Sequence, residues 1–162
     1  MAWGSISLAK GGAMATRAHR RRDESGASAV ELALILPFLV LLLFGTMQYG
    51  FYFWARSSAS AAAREGARQS SVGDFASCSA LQSFVTGQVG AARAGNTVTT
   101  TRSFTKGAGN TAPTTQVGDS MTITVTFSSL DVGLIPLPAS GLVTVSAGSR
   151  VENVATVPPG SC

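Results

Sequence analysis

The sequence predicts a single-pass membrane protein of the α+β class, in which a long N-terminal transmembrane helix extends into a small extracytoplasmic antiparallel β-sheet head. Three observations carry this. Leu32–Ala55 is a run of 24 residues without a charge, bounded by Glu31 and Arg56. No second apolar stretch of that length follows. The last third of the chain then switches to a two-residue alternation, strictest in Met121–Phe127, the mark of a half-buried strand. At 162 residues the chain is long enough for one compact domain, and at 12% charged residues it has about half the usual charge density of a soluble protein.

Residues 1–26 form a basic cytoplasmic leader. Lys10, Arg17, Arg20, Arg21 and Arg22 stand there against Asp23 and Glu24, while the remainder carries seven basic and six acidic residues. Three of the four net positive charges therefore belong to the leader, and the body, at +1, is too sparsely basic for nucleic acid. Initiation at Met14 would keep all four arginines in a leader ending at Gly26.

Residues 27–55 are the expected transmembrane helix. As a helix, Leu32–Ala55 covers ~36 Å, more than the ~30 Å hydrocarbon core of a bilayer. Leu32–Phe44 lacks a polar face, which excludes an amphipathic surface helix. Pro37 removes one helix hydrogen bond, a loss that membrane helices tolerate. The basic residues before the span outnumber Arg56, Arg64 and Arg68 after it, so the N-terminus is expected in the cytoplasm and the head outside the cytoplasmic membrane. Tyr49, Phe51, Tyr52, Phe53 and Trp54 then fall at the outer headgroup level, where rings with polar tips are favoured. Glu31 lies at the inner edge of the apolar run. It is either a snorkelling acid favoured by the helix dipole or a functional charge.

Residues 56–95 are expected to be extracytoplasmic and helical. Residues 55–71 continue the first helix, with Arg64, Glu65 and Arg68 on a solvated face and Ala59, Ala62, Ala63 and Gly66 small enough to admit a partner helix. Leu81, Phe84, Val85 and Val89 have the spacing of an amphipathic helix that covers one face of a sheet. Residues 96–162 form the β-rich head. Its strands are expected at Thr97–Thr105, Met121–Phe127 and Leu142–Val154, broken by Gly107–Pro113 and by the stretch around Pro136, Pro138 and Gly141.

Nothing in the chain points to catalysis or to a cofactor. The single histidine, His19, is in the leader, so no serine of the body has an imidazole base, and two cysteines cannot build a structural zinc site. The segment Gly107–Thr115 lacks the Lys-Ser/Thr ending of a phosphate loop, and the acids are scattered as Glu65, Asp74, Asp119, Asp131 and Glu152.

Arg20–Leu32 resembles a type IV prepilin processing site, in which a basic leader ends in Gly and Glu stands fifth in the mature chain. Gly26 takes the first position, Ala27 the new N-terminus and Glu31 the fifth place. The run from Gly26 to Gly45, followed by Ala62–Arg68, is similar to the TadE-like family of bacterial tight-adherence pilus assembly proteins. Val143–Asn153 is similar to that family's C-terminal strand, whereas Leu32 stands where Flp pilins commonly carry Tyr and TadE-like chains often Phe. The resemblance implies a minor pseudopilin of a Tad (Flp) pilus or secretion system. A prepilin peptidase would cleave it between Gly26 and Ala27, and Glu31 would serve in assembly. Membrane lipid, other pilins and pseudopilins, and proteins of the Tad secretion platform are the implied partners.

Outside the cytoplasmic membrane thiols are usually oxidised, so a Cys78–Cys162 disulfide is the economical reading, with two free or intermolecular thiols as the alternative. Two further readings of the whole chain stand beside the pseudopilin. One is a secreted binding domain whose signal peptide is cut near residues 61–64, after the small residues of Ser57–Ala63; the other is an unprocessed single-pass anchor.

Overall fold

The computed structural model describes residues 20–153, with side chains from residue 26 onward. In chain order the elements are α1 (Arg20–Ser71), α2 (Cys78–Val89), a 3-10 turn at Gly90–Arg93, β1 (Thr99–Thr105), β2 (Ser120–Ser128), a short turn at Pro138–Gly141 and β3 (Leu142–Arg150). The chain forms two compact units, one ending at Val40 and the other beginning at Leu41, so α1 contributes to both.

In the first unit α1 runs through Pro37 without a break, and every residue from Gly26 to Val40 is exposed. From Leu32 to Val40 the side chains are leucine, isoleucine, alanine, proline, valine and phenylalanine on all sides, with Glu31 just before them. A helix that is apolar all round and uncovered is consistent with membrane anchoring, and α1 is long and apolar enough to cross a bilayer.

The second unit is an α+β head. Its three strands form an antiparallel meander in the order β1-β2-β3, with Ile123 of β2 facing Arg102 of β1 and Ala147 of β3. The alternation of β2 places Met121, Ile123, Val125 and Phe127 in the core. Thr124 and Thr126 face the other way, and their hydroxyls bond Ser146 at 2.8 Å and Thr144 at 3.4 Å across the ladder to β3. The core face is covered by α1 and α2 together rather than by the second helix alone. Leu81, Val85 and Val89 of α2 and Ala55, Ala59, Ala62, Ala63 and Ala67 of α1 are all buried in one cluster with β2.

The element ends have local causes. α1 stops where Gly73 takes φ +87°, with Gly73 N–H donating to Ser70 O at 3.2 Å and Asp74 N–H to Gln69 O at 3.1 Å. Ser77 caps α2, its hydroxyl accepting from Ala80 N–H at 3.2 Å. The edge strand β1 is finished by one side chain of α2. Gln82 accepts from Thr100 N–H at 2.9 Å and donates to Val98 O, which blunts that edge. β3 ends at Arg150, short of the expected Val154, because after Val151 the chain turns away to α1. Val151 N–H donates to Asp119 O at 2.8 Å, and the N–H groups of Glu152 and Asn153 both reach Ser71 O.

Candidate functional site

Gly26, Ala27 and Glu31, the residues that sequence reading singles out, all lie exposed on α1. A side chain added at Gly26 would meet nothing within 4 Å, so glycine there is not required by packing. It is, however, the weakest helix-forming residue apart from proline, and local unwinding costs least at such a point. Ala27 and Glu31 are four residues apart, which puts them on one face, one turn apart along the helix. Around Glu31 the exposed neighbours Val30, Leu32, Leu34 and Ile35 are apolar.

The use of α1 changes at Gly45. From there on one face is buried by the head: Gly45, Gln48, Tyr52, Ala55, Ala59, Ala62, Ala63, Gly66 and Ala67. This corrects the expectation that the small residues admit a partner helix. A Cβ at Gly66 would sit 3.5 Å from Leu81 and Val85 and 3.6 Å from Ile123, so the stripe is already occupied by α2 and β2 of the same chain. The aromatic cluster is divided in the same way. Tyr52 is in the core and Tyr49 donates its hydroxyl to Pro136 O at 3.0 Å, whereas Phe53 and Trp54 face outward.

Gln48 is a lone amide inside the charge-free run. It is only 2% exposed, and its Nε2 donates to Asp131 Oδ1 at 2.9 Å and to Ile135 O at 3.0 Å. The same Asp131 oxygen accepts from Gly133 N–H at 2.8 Å, and a Cβ at Gly45 would collide with the Ile135 side chain. The β2–β3 connection is thus fastened to the head-proximal end of the apolar run. The one available signal is a lone amide in a charge-free, largely apolar run, which demands a buried partner.

Beyond this junction the charged groups are structural. Arg68 donates to Glu65 through Nε at 3.0 Å and Nη2 at 2.7 Å, while Arg64 turns back to Ser60 O at 3.2 Å. Arg68, then Gln69, hold the Glu65 carboxyl down to about 2 on a solvated surface. Asp119 has a fully buried side chain, 1% exposed, that organises the β1–β2 loop. It accepts from Gly107 N–H at 2.7 Å, Gln116 N–H at 2.8 Å and Asn110 Nδ2 at 2.6 Å. These donors, the Gly107 and Gln116 amides first, hold its carboxyl below the usual range. Arg102 is buried on the sheet's core face with its guanidinium 5.6 Å from the Phe104 ring, and burial lowers its pKa. Cys78 opens α2 directly after the Ser77 cap, while Cys162 lies outside the described residues. No group of three metal-binding side chains occurs among the described residues.

Residues 26–68 match the family model described as TadE-like protein, the family that Gly26–Gly45 and Ala62–Arg68 resemble. The matched segment begins at the glycine of the processing-site pattern and ends in the last turns of α1. No curated protein and no solved structure matches the chain.

Proposed function

We propose that this chain is a minor pseudopilin-like structural component of a bacterial Tad (Flp) pilus or secretion system, processed by a prepilin peptidase between Gly26 and Ala27. In this reading α1 holds it in the cytoplasmic membrane with its N-terminus inside and its head outside. Its role is non-catalytic, and its partners are the peptidase, other pilins and pseudopilins, and proteins of the Tad platform.

The observation that carries the reading is the division of α1 at Gly45. The head uses α1 from Gly45 to Ser71, whereas Ala27–Phe44 is exposed and, apart from Ser28 and Glu31, apolar, left for lipid or for other subunits. The family match over residues 26–68 spans both parts. Cleavage after Gly26 would create an α-amino group one helical turn from Glu31. A carboxylate from the same or a neighbouring chain can then neutralise it, and losing one partner of such a poorly solvated pair costs roughly 3–5 kcal/mol. A signal-peptidase cut near residues 61–64 is disfavoured, since it would remove Tyr52, Ala55 and Ala59 from the core.

Mass spectrometry of the mature N-terminus tests the processing step: Ala27 as the first residue is the expected result, and an intact leader or a start near residues 61–64 overturns it. Glu31→Ala tests the assembly step. The variant is expected to insert in the membrane as the parent does and to be lost from the assembled machinery. Equal incorporation of the two would remove the role given to Glu31.

A further inference from the structure

The β2–β3 connection, residues 129–141, has an unusual composition for a loop in water. It contains Leu130, Val132, Leu134, Ile135 and Leu137, no Lys or Arg, and Asp131 as its one charge. Leu137 is buried and Ile135 half-buried, but Leu130, Val132 and Leu134 are 40%, 57% and 49% exposed. The protein therefore leaves an apolar tip uncovered.

The depth of that tip is set by hydrogen bonds. Gln48 donates to Asp131 and to Ile135 O, and Tyr49 to Pro136 O, so the loop lies level with residues 48 and 49 of α1. A helix needs about 20 residues to cross the hydrocarbon core; counted from Leu32, that stretch ends near Phe51, beyond both anchoring residues. Met47, Phe53 and Trp54 continue the exposed apolar surface around α1 at the same level. The opposite end of the sheet is far away. Ser71 O accepts from Glu152 and Asn153 there, roughly 35 Å along α1 from Gln48.

We propose that Leu130, Val132 and Leu134 insert into the acyl region of the outer leaflet, giving the head a second lipid anchor beside α1. This rests on the reading that α1 spans the membrane. Asp131, level with Gln48 and so about 5 Å short of the headgroup boundary, has its Oδ1 satisfied by Gln48 and by Gly133 N–H.

The test places one tryptophan at a time in the full-length chain, in a Trp3→Phe, Trp54→Phe background, reconstituted in phosphatidylcholine vesicles brominated at defined acyl depths. Reporters are Val132→Trp and Leu134→Trp in the loop, Val40→Trp in the span and Val117→Trp at the far end, where Val117 is 65% exposed. The loop reporters are expected to be blue-shifted and quenched most by bromine near the headgroups, Val40→Trp by deep bromine, and Val117→Trp by neither. If Val40→Trp is quenched and both loop reporters are not, the loop proposal fails and the span stands. Blue-shifted loop reporters without quenching would mean that a second protein chain covers the tip, which also overturns it. Equal quenching at Val117 would mean that the whole head meets lipid, and an unquenched Val40 would remove span and loop together.

Discussion

Asp119 shows how a single residue can order a loop that has almost no core of its own. The β1–β2 connection contains Gly107, Gly109, Pro113 and Gly118, and its apolar Val117 is exposed, so burial does little to hold it. Instead the carboxylate draws Gly107, Asn110 and Gln116 onto one point. Because those donors lower its pKa in the fold, the stabilisation is complete above the ordinary carboxylate value of about 4 and is lost as pH falls through the depressed one. Acidification should therefore lower the Tm of the parent chain in this acid range, whereas Asp119→Asn should start from a lower Tm and respond less. Thermal unfolding measured across that range checks the sign; a parallel pH response of the two proteins would contradict it. Neither this role nor that of Gln48 is legible in the sequence. Asp119 stands among scattered acids, and although a lone amide in an apolar run calls for a buried partner, those of Gln48 lie 83 and 87 residues away, where no local pattern identifies them. Gly26, Ala27 and Glu31 are the reverse case. Their spacing is plain in the sequence, and the fold adds only that they share an exposed, apolar stretch of helix.

Among the elements, β2 was legible because its alternation is complete: Met121, Ile123, Val125 and Phe127 go inward, and a shift by one residue would bury threonines. β1 begins at Thr99, two residues later than its composition suggests, since Val98 O is already taken by Gln82. The small-residue face of α1 was legible as a close-packing surface, but not the identity of what packs there. Alanine and glycine let any backbone approach, so a partner helix and the chain's own sheet leave the same pattern. The structure separates them through Ala59 and Ala63, both fully buried by the head. Ala63→Leu should consequently destabilise the head by about 1–3 kcal/mol through overpacking, and Ile123→Ala by about 2–5 kcal/mol through a cavity. Ser57→Leu, on the exposed face of the same helix, should stay within about 0.5 kcal/mol. Denaturation of the detergent-solubilised chain checks all three. An Ala63→Leu variant as stable as the parent would return the stripe to an external partner.

For the whole molecule, stability depends on how a head with one three-stranded sheet is closed. Its core consists chiefly of alanines from α1, three residues of α2 and the inward row of β2, a small apolar reserve for a head that also carries the long polar β1–β2 loop. The C-terminal segment leaves the sheet at Arg150 and is turned toward Ser71, which accepts from both Glu152 and Asn153. Cys78, at the start of α2, follows Ser71 by seven residues, so a bond to Cys162 would tie the chain's end to the region it already approaches. Such a bond closes a loop of about 85 residues and is worth roughly 4 kcal/mol on the chain-entropy account. A mutant cycle distinguishes this from two independent thiols. If the cysteines pair, Cys78→Ser, Cys162→Ser and the double variant should lose the same stability, and adding a reductant to the parent should reproduce that loss while leaving the variants unchanged. Two single losses that add in the double variant, or two thiols that react in the oxidised parent, would exclude the bond. The head would then rest on its alanine-rich core and the Asp119 loop alone.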